Sequence, residues 1–165
     1  MINPELLKQL EAYISLHMEP KVLYSMDADY YLEKQISENV INIELQQFIK
    51  RKQQPTLTEV LFQFIDKKGL KDSEVYKKAG LDRKLFSKIR STPNYRPRKN
   101  TIIQLALALE LDKKQTDKLL RSAGYTLSDS DMFDLTILFC LEKKIYNIYE
   151  VNIALEHIGA KLLDS

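Results

Sequence analysis

Cysteine is almost absent from this chain. Cys140 stands alone, so no intramolecular disulfide can form, and such usage suits a reducing compartment. Tryptophan is missing, and the two histidines, His17 and His157, lie far apart and offer no metal-ligand spacing. Four separate glycines provide neither a phosphate-cradling loop nor a nucleophile elbow, and no Gly/Ser-rich linker. No apolar stretch reaches membrane-spanning length, and the first residues lack a signal peptide's apolar core. A cytoplasmic location without membrane association is therefore expected. Acid pairs such as Asp129 and Asp131 read as a helix start rather than a catalytic dyad, and Cys140, within an apolar run, reads as inert core. A non-enzyme with no metal and no cofactor is predicted.

The 165 residues are 44% hydrophobic and 29% charged, a balance typical of a globular protein with room for one core and an appendage. Net charge is only +2, but it is unevenly distributed. Between Asp66 and Lys99 twelve Lys/Arg face four Asp/Glu, a local +8 that leaves −6 elsewhere. Lys67, Lys68, Lys77 and Lys78 suit an ordinary solvated face. The rest of the excess falls on one helix and the loop after it, which is the electrostatic footprint of a nucleic-acid binder.

That helix lies in the stretch Asp72 to Ser91, DSEVYKKAGLDRKLFSKIRS. Val75 and Ala79 share one helical face, Gly80 suits a left-handed turn, and Asp82 is a suitable N-cap. Phe86 and Ile89 then form the apolar stripe of a second short helix. These residues resemble the lambda-repressor-like (Cro/repressor) helix-turn-helix family, with Val75, Ala79, Gly80, Leu81, Phe86 and Ile89 at its buried and turn positions. The resemblance implies base-reading from Arg83, Lys84, Ser87 and Lys88. Two residues depart from it: Tyr76 stands where the family keeps a small residue, implying a wider helix crossing, and Leu85 is apolar on the side that would face the groove. Leu85 suits a thymine methyl or a protein partner.

Along the rest of the chain, Asn3-Pro4-Glu5 starts a helix that buries Leu6, Leu7, Leu10 and Ile14 and stops at Pro20. Residues 21 to 55 show no clean period. Val40, Ile41, Ile43 and Leu45 suggest a short extended segment before a helix ending at Lys50-Arg51-Lys52, with a boundary at Gln53-Gln54-Pro55. A capping box at Thr56–Glu59 opens a helix with Val60, Leu61, Phe64 and Ile65 inward and Gly69 as its stop. STPNYRPRK, with two prolines, is a pinned loop. Tyr95, Arg96, Arg98 and Lys99 there, with Arg90 at the helix end, are placed for phosphate contacts, although Tyr95 suits a buried loop anchor equally well. Asn100 is expected to cap a helix burying Ile102, Leu105, Ala106 and Leu109. Asp112 to Gln115 is another capping box, and Leu119 and Leu120 close that helix before Gly124. Met132 to Leu141 is apolar all round and expected to be buried on more than one side. Asn147 caps a last helix ending at Gly159.

The runs GLKDSEVYKKAGLDRKLFSKIRS, LALALELD, AGYTLS and IYNIYEVNIALEHIGAKLL are together similar to a bacterial repressor-like module. That module occurs alone or C-terminal to effector domains such as macro or von Willebrand-type domains. The predicted fold is all-α: a five-helix repressor-like domain with two extra C-terminal helices (56–165) and an N-terminal helical appendage (1–55). The expected function is double-stranded DNA binding through residues 82–90, in transcription regulation by a bacterial or phage dimer. The alternative is a protein-interaction module in phage defence, counter-defence or a mobile element, engaging its partner through the N-terminal region, Leu85 or the C-terminal helices.

Overall fold

The computed structural model describes the backbone of residues 3–17 and 20–163 and the side chains outside 14–27. All regular structure among them is helical: α1 (Pro4–His17), α2 (Pro20–Lys52), α3 (Leu57–Lys68), α4 (Asp72–Lys78), α5 (Arg83–Ser91), α6 (Lys99–Ala108), α7 (Lys113–Ser122), α8 (Met132–Glu142) and α9 (Ile148–His157). The chain forms two compact units, Met1–Gln53 and Gln54–Ser165.

The first unit is a pair of helices. The Asn3 side chain accepts from the Glu5 N–H at 3.0 Å, as the start signal predicts. An ion pair between Lys34 and Glu11 ties α2 to α1 and holds the Lys34 ammonium above its ordinary range. The expected inward Ile14 and the His17 imidazole are side chains outside those described. Leu6 and Leu10, expected inward, are instead 58% and 51% exposed. Helix α1 ends at His17, before Pro20, as expected, and Pro20 itself opens α2, since its fixed φ suits a first helical turn. Residues 21–52 contain no extended segment: α2 runs through them unbroken. The apparent alternation arises because Val40 and Ile43 lie on one side of the helix, Ile41 and Leu45 on the opposite side.

The second unit is built around α6. From Thr101 to Ala108 every residue is buried, so this helix is a central rod rather than the amphipathic one expected. Its start is also two residues earlier than expected: Arg98 is the N-cap and Asn100 lies inside the helix. Helices α4 and α7 pack on it, and α3 and α8 pack on α7. Local signals set the ends as anticipated. Thr56 and Glu59 cap α3 reciprocally, as do Asp112 and Gln115 for α7, and Asp131 and Asn147 cap α8 and α9. Gly69, Gly80, Gly124 and Gly159 all take positive φ at helix ends, where a Cβ is disfavoured.

Helix α8 is not buried all round. Ile137, Cys140 and Leu141 enter the core, while Met132 and Phe139 are 60% and 52% exposed. Its inner side meets α7 and α9, and its outer side opens onto an apolar groove shared with α9. Burial pushes the Cys140 thiol above its ordinary value, consistent with core packing.

Candidate nucleic-acid interface

Helix α5 is set in place by two side chains and several polar ties. Phe86 and Ile89 are 3% and 1% exposed and point into the core. Asp82 caps the helix through the Lys84 N–H. The turn before it closes with Leu81 N–H donating to the Tyr76 carbonyl at 2.9 Å across Gly80. The buried Gln104 amide on α6 donates to the Ala79 carbonyl at 2.9 Å, and the Thr58 hydroxyl on α3 donates to the Ile89 carbonyl at 3.2 Å. The turn after α4 and the last turn of α5 are thus held by neighbouring helices, which fixes the direction of the outward face.

Tyr76 does not stand free at the helix crossing. It is half-buried with its ring 5.7 Å from Phe86, and Phe62 meets Phe86 edge-on at 5.9 Å, so an aromatic trio fills the space. Leu85, expected to face the groove, is half-buried and packs against the core. Four positions before the buried Ile89, and so about 40° from it around the helix, Leu85 shares the buried flank.

Of the nine expected contact residues, four share the outward face of α5, three are engaged within the protein, and Tyr95 and Arg98 lie in the loop beside them. Arg83, Lys84, Ser87 and Lys88 are all exposed and, with Ser91 and Thr92, line one open concavity of about 550 Å³. The spacing of four between Arg83 and Ser87, and between Lys84 and Lys88, places them on adjacent turns of one face. Ser91 and Thr92 were missed from the sequence; the same periodicity, continued one turn to Ser91, would have found the first of them. Lys88 lies 4.6 Å above the ring of Tyr95, which is half-buried, so the loop after α5 buttresses this face.

Arg90, Arg96 and Lys99 are engaged within the protein. Arg90 pairs with Asp72 and lies 4.7 Å over the Phe62 ring, bridging α5 to the start of α4. The Arg96 guanidinium donates to the Ala123 carbonyl at 2.7 Å and the Gly124 carbonyl at 3.4 Å and stacks 4.3 Å from Tyr125. Tyr125 in turn donates to the Pro97 carbonyl at 2.9 Å, so the two-proline loop is pinned to the end of α7. The Lys99 ammonium donates to both oxygens of Asp134 at 2.8 and 2.7 Å. Arg98 is exposed at the N-cap of α6, beside this loop.

Among the described residues no three His, Cys, Asp or Glu side chains gather as a metal site, and no helix is long and apolar enough to cross a membrane. No protein-family model matches the chain, and neither does any curated protein or solved structure.

Proposed function

We propose that the protein binds double-stranded DNA as a helix-turn-helix transcriptional regulator, with α3 to α7 acting as a five-helix repressor-like domain. In this reading α5 enters the major groove. The observation that carries it is the shared exposure of Arg83, Lys84, Ser87 and Lys88 on one side of a helix whose other side is locked into the core. A nine-residue helix is about 13 Å long, and a B-form major groove about 12 Å wide admits such a rod. Arg83 can fork onto a guanine edge, Ser87 and Lys84 can reach base edges or sugar, and Lys88 and Arg98 neutralise phosphates. Arg90, Arg96 and Lys99 hold the frame from which these residues project.

Fluorescence anisotropy with a random-sequence duplex tests this. About two phosphate contacts per chain give a slope of log K against log salt near −2, so affinity should fall roughly tenfold between 50 and 200 mM salt. No binding at the lower salt, or binding indifferent to salt, defeats the proposal. The second reading, a protein-interaction module in phage defence, counter-defence or a mobile element, is favoured by the groove between α8 and α9. Met132, Leu135, Phe139, Ile153 and Ile158 expose apolar surface there around a space of about 490 Å³. A partner protein lost on Phe139→Asp but retained on Arg83→Ala would select it.

A further inference from the structure

The first unit has a burial problem. None of its described side chains is buried, yet α2 leaves Leu32, Ile36, Val40 and Ile43 exposed by 56, 54, 46 and 55%. Helices in water gain most of their stability by packing an apolar face. At about 100° per residue these four side chains fall within a sector of about 80°. Lys34, which pairs with Glu11 of α1, lies on the opposite side of the helix, so α1 does not cover the stripe.

The stripe has a symmetry of its own. Extended in both directions, the same sector carries Asp29 near one end, Gln47 and finally Lys50. About a point midway between Asn39 and Val40, position 29 mirrors 50, 32 mirrors 47, and 36 mirrors 43. We propose that two copies of the chain pair antiparallel through this face of α2, about a two-fold axis at that midpoint. Ile36 then lies against the partner's Ile43, Leu32 against the partner's Gln47, and Asp29 against the partner's Lys50. Because the axis is two-fold, each contact is made twice. The charges favour this orientation: a parallel pair would set Lys50, Arg51 and Lys52 of both copies side by side, with Asp29 beside the partner's Asp29. The paired segment, 29 to 50, is about 32 Å long. The pairing does not depend on DNA binding, and loss of DNA binding would leave it intact.

The test uses the full chain without DNA. Sedimentation equilibrium at tens of micromolar should give twice the 19.3 kDa chain mass, and Ile36→Glu should weaken the dimer at least tenfold while leaving the helical signal in circular dichroism unchanged. Under mild oxidation Val40→Cys should give a disulfide-linked dimer. Leu32→Cys should not, because position 32 in one copy lies about 22 Å along the axis from position 32 in the other. Cys140 is buried, so the unsubstituted chain is the blank. If Ile36→Glu loses its helix, the conservative Val40→Cys and Leu32→Cys comparison decides. A monomer, a dimer unaffected by a folded Ile36→Glu variant, or equal cross-linking at positions 32 and 40 would overturn the proposal.

Discussion

Lys99 is the residue for which charge and geometry disagree most, and its replacement has a predictable cost. Asp134 is 2% exposed and accepts from the Lys99 ammonium with both oxygens, and from the Ser128 N–H at 2.8 Å. The Lys99 side chain is 28% exposed, so it retains a route to water that Asp134 lacks. Lys99→Met strands a buried carboxylate and should cost about 3 kcal/mol. Asp134→Leu leaves an ammonium able to turn outward and one unpaired N–H, and should cost about 2 kcal/mol. The double variant removes both charges and keeps only the orphaned N–H and some packing change, for about 2 kcal/mol, so the coupling is about 3 kcal/mol. Urea unfolding at pH 7, followed by circular dichroism at constant slope, measures all three. Single effects that add to within about 0.5 kcal/mol would show that solvent screens the pair and refute the argument. The same Lys99→Met variant, assayed where it is folded, should bind duplex DNA within about threefold of the unsubstituted chain. Losing about one unit of salt slope would return Lys99 to the phosphate contacts.

Arg83→Ala should cost about 1–3 kcal/mol on a selected operator and little on random duplex, read by competition between the two. Lys88→Ala and Arg98→Ala should weaken all sequences alike, flattening the salt dependence by about one unit each. Gly124→Ala should destabilise by about 1–2 kcal/mol in urea unfolding. Its φ is +80°, and the new Cβ would lie 3.1 Å from the Arg96 guanidinium, which must then shift from its carbonyl partners. Cys140 should alkylate only as fast as the chain unfolds. With its thiol raised by burial, the unfolded chain ionises first, so stability should fall as pH rises past the ordinary value of 9.0. A smaller loss of stability between pH 8 and 10 in the Cys140→Ala variant than in the parent isolates that contribution.

Local signals carried much of the architecture. Capping residues such as Thr56, Asp82, Asp112 and Asn147, and glycines at 69, 80, 124 and 159, act through bonds and backbone angles within a few residues, so they can be read without neighbours. The basic face of α5 was legible for the same reason: four residues at helical spacing are adjacent whatever surrounds them. Helix α2 was not legible, because two apolar stripes on opposite sides cancel the period that marks an amphipathic helix. The exposure of α8 was misjudged because an apolar helix states what it can bury, not how many neighbours arrive to cover it.

The division of labour among the cations belongs to the tertiary structure alone. By sequence Arg90, Arg96 and Lys99 are as basic and as close to α5 as Arg83 and Lys88. What separates them are partners 18, 27 and 35 residues away, at Asp72, Ala123 and Asp134. Side-chain type and spacing determined where positive charge collects and where helices begin and end, because those depend on covalent neighbours. Which charges face outward and which fasten helices together depends on contacts that exist only once distant segments have packed, and charge neutralisation by a buried carboxylate is one of them.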